Sequence, residues 1–285
     1  MAIERVGIVG SGIMGSGIAE VAAKAGATVV LRSRKQESAD AMVAGLGKSL
    51  AKQVSRGKLD EAEAEAISGR VTGTADLEAL ADCDLVLESV VEDLAVKRQL
   101  FAELDRIVKD GAILATNTST LPVVEMAVET GRPERVVGIH FFNPAPAMSL
   151  VEVIRTLVSS DETVAEAVAF AETCGKGPVV VEDRAGFIVN ALLFPYLNNA
   201  VRMLENRTAS RDDIDSAMKG GCNFPMGPLA LLDLVGLDTS LAILDALYTE
   251  FRDPNYAAVP LLRRMVVAGH LGRKSGQGFY DYTQK

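Results

Sequence analysis

The chain has 285 residues, 48% hydrophobic and 24% charged, which is material for one large or two ordinary domains and excludes wholesale disorder. Its net charge of -9 and pI near 4.9 argue against nucleic acid or an anionic membrane as the main partner. An anionic small substrate stays open, because a local basic patch can sit on an acidic protein.

Ile3 to Val9 is a short apolar run, the pattern of a buried parallel strand. Glycines follow at 10, 12, 15 and 17, and Ile18 to Lys24 reads as a helix. Thr28 to Leu31 is a second strand. Lys35 to Arg56 and Asp60 to Ser68 read as polar, exposed helices. Leu85 to Leu87 looks like a strand end, and Val96 to Val108 like an amphipathic helix. Ala112 to Ala115, Val136 to Phe141 and Leu150 to Ile154 read as strands. Asp161 to Cys174 is a helix, and Pro178 to Val181 a last strand. Strand alternating with helix predicts a Rossmann-type, doubly wound, mostly parallel sheet covered on both faces.

The texture changes near Arg184. From Ala185 to His270 every segment reads as helix, with Ile188 to Leu204, Leu229 to Val235 and Leu241 to Phe251 as examples. Pro195 lies inside the first and is expected to kink it. The expectation is a dinucleotide-binding domain over 1–184 and an all-helical substrate and dimerisation domain over 185–285.

No apolar run approaches the ~18 residues of a membrane span. The MAIERVGIVG start leaves no room for a signal peptide, so a cytoplasmic protein with no membrane partner is expected. Cys83, Cys174 and Cys222 lie far apart with no CxxC pair, so neither a disulfide framework nor a metal site is expected.

The strongest motif is GSGIMGSG, in which Gly10, Gly12 and Gly15 fit GxGxxG between a strand and a helix. The first glycine allows the tight turn, the second admits a pyrophosphate, and the third lets helix pack on strand. Free N–H groups of Ser11, Gly12, Ile13 and Met14 and the positive end of the helix dipole then face the phosphates. A nicotinamide-dependent oxidoreductase is the reading.

An NAD-preferring fold usually has Asp or Glu at the end of the second strand, for the ribose 2′-OH. Here Ser33 occupies that place, between Arg32 and Arg34. Carboxylate repulsion of a 2′-phosphate is absent and two guanidinium groups are available to pair with it, which puts NADP ahead of NAD. The competing reading is a solvated basic turn in an NAD-using protein.

Only two histidines are present, His140 and His270. His140 ends a predicted strand in GIHFFNPAP, and Glu152 follows on the next strand. A carboxylate on one ring nitrogen fixes the tautomer and frees the other nitrogen for acid–base work. Alone, His140 fits a satisfied core histidine as well; its place at a C-terminal strand end favours catalysis. His270 reads as a surface or capping residue. ATNTSTLP also lies at a strand end, where Ser119 serves either as a helix cap or as a partner of a substrate oxygen.

GSGIMGSG, ESVVED, ATNTST, HFFNPAP, VEVIRT, GFIVNALL, FPMGPLALLDLVGLD and LGRKSGQGFYDY occur in the order found in short-chain 3-hydroxyacyl-CoA dehydrogenases. The chain resembles that family, and especially its bacterial 3-hydroxybutyryl-CoA dehydrogenases, over essentially its whole length. The resemblance implies that His140 is the catalytic base and Glu152 its partner. It implies that Ser119 and Asn190 hold the reacting oxygen, and that Glu92, Lys97, Asn117, Asn143 and Lys274 contact the cofactor. Lys52 and Arg56 match basic positions near the CoA moiety, although a solvated helix face explains them equally well. Ser33 departs from the family's usual Asp, and the RSR triplet looks like that of NADPH-using members. The expected reaction interconverts a 3-ketoacyl-CoA such as acetoacetyl-CoA with its 3-hydroxyacyl-CoA, in a homodimer formed through the helical domain. Two alternatives stand beside it. A β-hydroxyacid-type dehydrogenase would place a Lys near Asn190, and Ala191 to Leu193 supplies none; a non-catalytic NADP-binding protein would not need the His140–Glu152 pair.

Overall fold

The computed structural model describes residues 3–283. The chain divides between Asp183 and Arg184 into two compact units. The first contains β1 (Arg5–Val9), α1 (Ile13–Lys24), β2 (Thr28–Arg32), α2 (Gln36–Ser55), α3 (Glu61–Gly69) and β3 (Val71–Thr74). It continues with β4 (Leu85–Glu88), α4 (Leu94–Ile107), β5 (Ile113–Thr116), α5 (Val123–Ala127) and β6 (Val136–Phe141). It ends with β7 (Leu150–Arg155), α6 (Asp161–Thr173) and β8 (Gly177–Glu182). The eight strands form one sheet in the order β3-β2-β1-β4-β5-β6-β7-β8. All neighbours are parallel except β6 and β7.

Buried apolar side chains fix this arrangement. Val6, Ile8, Val29, Leu31, Leu85, Leu87 and Ile113 are at most 1% exposed and pack with Ile18, Ala22 and Ala23 of α1. That accounts for the near-continuous apolar character of the central strands. Two helix starts in this unit illustrate capping by side-chain oxygens. Asp93 accepts from Val96 N–H at 3.0 Å to open α4, and Ser160 accepts from Thr163 N–H at 3.1 Å to open α6.

Three details differ from the sequence reading. α1 starts at Ile13 rather than Ile18, because the glycine turn feeds the helix without a pause. β3 escapes a propensity reading: its sequence is VTGT, and only Val71 is fully buried. α5 is a five-residue helix directly after ATNTSTLP, in a stretch to which the sequence reading assigned no element.

β7 turns back antiparallel because the connection from β6, residues 142–149, is too short for the crossover a parallel neighbour needs (about a dozen residues). The register pairs Gly138 with Ile154 and His140 with Glu152 on one face. Ile154 leaves no room there: a Cβ added to Gly138 would lie 2.7 Å from its Cδ1.

The second unit is all helical: α7 (Val189–Glu205), α8 (Arg211–Cys222), α9 (Pro228–Val235), α10 (Leu237–Phe251) and α11 (Pro260–Val267). α7 runs through Pro195 as a single helix. Two buried carboxylates organise this unit. Asp215 accepts from Leu229 and Ala230 N–H at 2.8 and 3.0 Å, capping α9, and from the Tyr280 hydroxyl at 2.8 Å. Asp233 accepts from Phe279 and Tyr280 N–H, both at 2.9 Å, and from the Tyr282 hydroxyl at 3.1 Å. Burial pushes the Asp233 carboxyl above the usual aspartate range, against the pull of those donors. The motif LGRKSGQGFYDY is thus a clasp closing the helical core.

Gly138→Ala is expected to lower stability by about 1–3 kcal/mol, the usual cost of overpacking, through a shift of β7 against β6. Urea denaturation with an unchanged m-value checks it; an unmoved midpoint would mean that Ile154 gives way freely.

Candidate active site

The C-terminal ends of β1, β2, β4, β5 and β6 lie along one edge of the parallel part of the sheet, the edge at which open α/β sheets bind ligands. Four of the predicted groups stand there.

The first is the glycine turn. A Cβ on Gly10, whose φ is +138°, would lie 2.2 Å from the Ser89 carbonyl oxygen, and one on Gly15 would lie 2.4 Å from that of Gly10. Both contacts are with backbone, so only glycine permits this approach. Gly12 is the opposite case, with nothing within 4 Å of its Cβ position. The open space belongs to a cavity of about 620 Å³ lined by Gly10, Ser11 and Gly12. Ile13, in the first turn of α1, is 78% exposed, and Met14 packs back on the core. A helix start with free N–H groups, a missing Cβ and an open cavity fits a dinucleotide pyrophosphate.

Arg32, Ser33 and Arg34 line the same cavity, with Val91, Val96, Gln99 and Glu103 among the other lining residues. Ser33 is 4% exposed and its N–H donates to the Thr74 carbonyl at 3.0 Å. Arg34 is exposed, whereas Arg32 is half-buried and its Nε donates to the Ala75 carbonyl at 3.4 Å.

His140 and Glu152 meet as cross-strand partners. Nδ1 lies 2.8 Å from Oε2, and the two residues are 6% and 1% exposed. The Phe142 ring lies against the imidazole, with centroids 4.5 Å apart. Pairing through Nδ1 leaves Nε2 as the other proton-carrying position of the ring. Asn117 accepts from Phe141 N–H at 2.8 Å through its side-chain oxygen, so it ties the NTST loop to β6 beside His140. Asn143 follows that strand end and is exposed.

Ser119 is half-buried in the loop after β5, with its N–H on Glu92 Oε1 at 3.1 Å. Thr118 donates its hydroxyl to the same oxygen. Lys97, expected at the cofactor by resemblance, sits within a cluster of carboxylates. It is 1% exposed, and its ammonium lies 2.7 and 2.9 Å from the two oxygens of Glu88 and 3.1 Å from Glu92 Oε2. An ammonium enclosed in this way needs those carboxylates to offset its burial. Sequence reasoning passed over Glu88, a carboxylate ending the apolar run LVLE and 0% exposed. A charge in that position with a Lys nine residues on was the available signal.

The remaining predicted residues lie elsewhere. Lys52 and Arg56 are exposed at the C-terminal end of α2. Asn190 is buried in the first turn of α7, and Lys274 is exposed with its ammonium 2.7 Å from Asp238 Oδ2; both belong to the second unit.

A glycine turn opening α1, a cavity before it and a buried His–Glu pair on the same strand edge define a nicotinamide-dinucleotide-dependent dehydrogenase. Residues 5–184 match the family model of the 3-hydroxyacyl-CoA dehydrogenase NAD binding domain, and residues 186–282 match that of the C-terminal domain. The chain belongs to the 3-hydroxyacyl-CoA dehydrogenase family, and it is an enzyme. It is 51% identical over 287 aligned residues to a 3-hydroxybutyryl-CoA dehydrogenase of Mycobacterium tuberculosis, covering 99% of both chains. The crystal structure of M. tuberculosis FadB2 superposes with a TM-score of 0.97 at 50% identity, over 99% of this chain and 100% of that one. That of an (S)-3-hydroxybutyryl-CoA dehydrogenase from Ralstonia eutropha gives 0.96 at 42% identity, with the same coverage.

Gly12→Ala is expected to weaken nucleotide binding at least about tenfold by filling the open space, while the helix-start cost to folding stays near 1 kcal/mol or below. Nucleotide fluorescence titration beside a denaturation curve separates the two effects. Unchanged affinity would place the dinucleotide elsewhere.

Proposed function

We propose that this enzyme interconverts acetoacetyl-CoA and 3-hydroxybutyryl-CoA, or closely related 3-ketoacyl and 3-hydroxyacyl thioesters, with NADP(H) preferred over NAD(H). The His140–Glu152 pair carries the reading: a buried imidazole held at Nδ1 by a carboxylate, at the ligand-binding edge of a dinucleotide fold. A bound nicotinamide would supply hydride-transfer chemistry at C3, toward the ketoacyl group in reduction and from the hydroxyacyl group in oxidation.

The protein's own part is to handle the proton at the oxygen on C3. In the reductive direction protonated His140 gives that oxygen a proton; in the oxidative direction neutral His140 removes it. Glu152 holds the ring in one orientation and stabilises the imidazolium. Ser119, and Asn190 by resemblance, orient the oxygen and favour the charge that develops on it. The glycine turn binds the pyrophosphate through Ser11, Gly12, Ile13 and Met14. Glu92, Asn117, Asn143 and Lys274 keep the cofactor-contacting roles that the resemblance assigns, and Lys97 supports Glu92 from below. Lys52 and Arg56 offer positive charge to the CoA phosphates.

The preference for NADP rests on the end of β2. Ser33 supplies no carboxylate against a 2′-phosphate, and exposed Arg34 lines the cavity with a guanidinium free to pair with it. Glu103 lines the same cavity and tempers that preference. The exposed apolar side chains Leu192, Met203, Leu234 and Val267 of the second unit support a homodimer formed through it. No helix among the described residues is long and apolar enough to cross a membrane. The three unpaired cysteines suit the reducing cytoplasm.

Steady-state reduction of acetoacetyl-CoA with NADPH and with NADH tests the whole reading. Replacement of His140 by Ala is expected to lower turnover by roughly 10²–10⁴, the usual share of general acid–base catalysis. Near-normal turnover would remove His140 from the mechanism. Ser33→Asp combined with Arg34→Gln is expected to move the NADPH/NADH ratio of kcat/KM toward NADH by at least about tenfold, consistent with the loss of a charge-assisted pair. An unchanged ratio would show that these side chains do not select the cofactor.

A further inference from the structure

Glu88 does not line the cavity before α1, yet four parts of the site converge on it. It is 0% exposed and ends β4. Its Oε1 accepts from Val90 N–H at 2.5 Å, in the segment against which Gly10 is pressed. Its Oε2 accepts from the Thr116 hydroxyl at 2.7 Å, at the end of β5. Its backbone carbonyl accepts from Asn117 N–H at 2.8 Å. Both carboxylate oxygens take the Lys97 ammonium, whose third carboxylate contact is Glu92 Oε2. The other oxygen of Glu92 holds the N–H of Ser119.

A buried ammonium must be matched by negative charge, because little water is present to share it. Lys97 divides its attraction between Glu88 below and Glu92 above. The position of Glu92, and of the Ser119 backbone it holds, is therefore set by how much of that attraction Glu88 takes. Groups linked in this way inside a protein act as a unit.

We propose that Glu88 is a positioning residue for the reaction: through Lys97 and Glu92 it fixes the loop that presents Ser119 to the substrate oxygen. This rests on the role given to Ser119 above. Glu88 exchanges no proton with substrate. Replacing it with Gln keeps its size and removes its charge, which frees Lys97 to draw Glu92 inward and carry the Ser119 loop with it.

The test is kinetic, with acetoacetyl-CoA and NADPH on purified, folded Glu88→Gln, Ser119→Ala and the double variant. Glu88→Gln is expected to lower kcat at least about tenfold with KM for acetoacetyl-CoA within about threefold, and to cost less than about threefold more in the Ser119→Ala background. Thr116→Val removes one donor to Glu88 with little change of shape, and is expected to show a smaller loss with the same non-additivity. It carries the test if Glu88→Gln does not fold. Equal losses in both backgrounds, or an unchanged kcat, would overturn the inference and leave Glu88 a structural brace. Wild-type kcat in Ser119→Ala would overturn the role of Ser119 itself, a result read before the double variant is considered.

Discussion

The antiparallel pairing of β6 with β7 is the constraint on which the chemistry of this chain depends. In a sheet of otherwise parallel neighbours, a strand after β6 would be expected to return through a crossover and run the same way. The short connection forbids that. The reversal places residue 140 opposite residue 152, and strand geometry points both side chains to one face. A histidine and a glutamate twelve residues apart in sequence thereby become a 2.8 Å pair without a loop to hold either one. The precision of the pair comes from a hydrogen-bonded ladder, a more rigid support than a side chain on a loop has.

The same strand edge solves a second problem, the burial of charge. Lys97 and Glu88 are among the most enclosed side chains of the chain, and neither would be tolerated alone. Together with Glu92 and Thr116 they form a small polar network under the glycine turn and the NTST loop. Such a network specifies geometry because each member's place is dictated by the others. An apolar filling would stabilise the sheet as well, but it would not tie β4, α4 and the loop after β5 to one point.

What was legible in the sequence follows from how local each signal is. The glycine turn was readable because the backbone approach it permits leaves its mark within a few residues: Gly10, Gly12 and Gly15 stand where a Cβ is forbidden or unwanted. The pairing of His140 with Glu152 was readable because adjacent strands with a short connection meet at a nearby register. β3 was not, since Gly73 in VTGT is there for the backbone of Ala39, 3.0 Å from its Cβ position, and a glycine lowers the strand signal. Glu88 was hidden for another reason. A charged residue at a strand end is ordinarily solvated, and only the fold reveals that α4 lays Lys97 over it. The burial of Lys97 was hidden on the same point, because resemblance carries a residue's identity more safely than its degree of burial. The aspartates Asp215 and Asp233 were likewise unremarkable in sequence; the tyrosine hydroxyls and backbone N–H groups they take from the C-terminal motif lie more than forty residues later.

That clasp has a consequence for the order in which the chain becomes a protein. Every strand of the sheet lies before residue 183, so the first unit holds all its pairing partners once that residue has been made. The helical unit cannot settle so early. Asp215 and Asp233 stay without Tyr280, Phe279 and Tyr282 until residues 279–282 have been made, and the Asp233 carboxylate destined for burial waits in water meanwhile. Closure of the second unit therefore depends on residues 279–282, and the dependence is electrostatic: they supply the three donors that make the buried Asp233 acceptable and the hydroxyl that completes the set at Asp215.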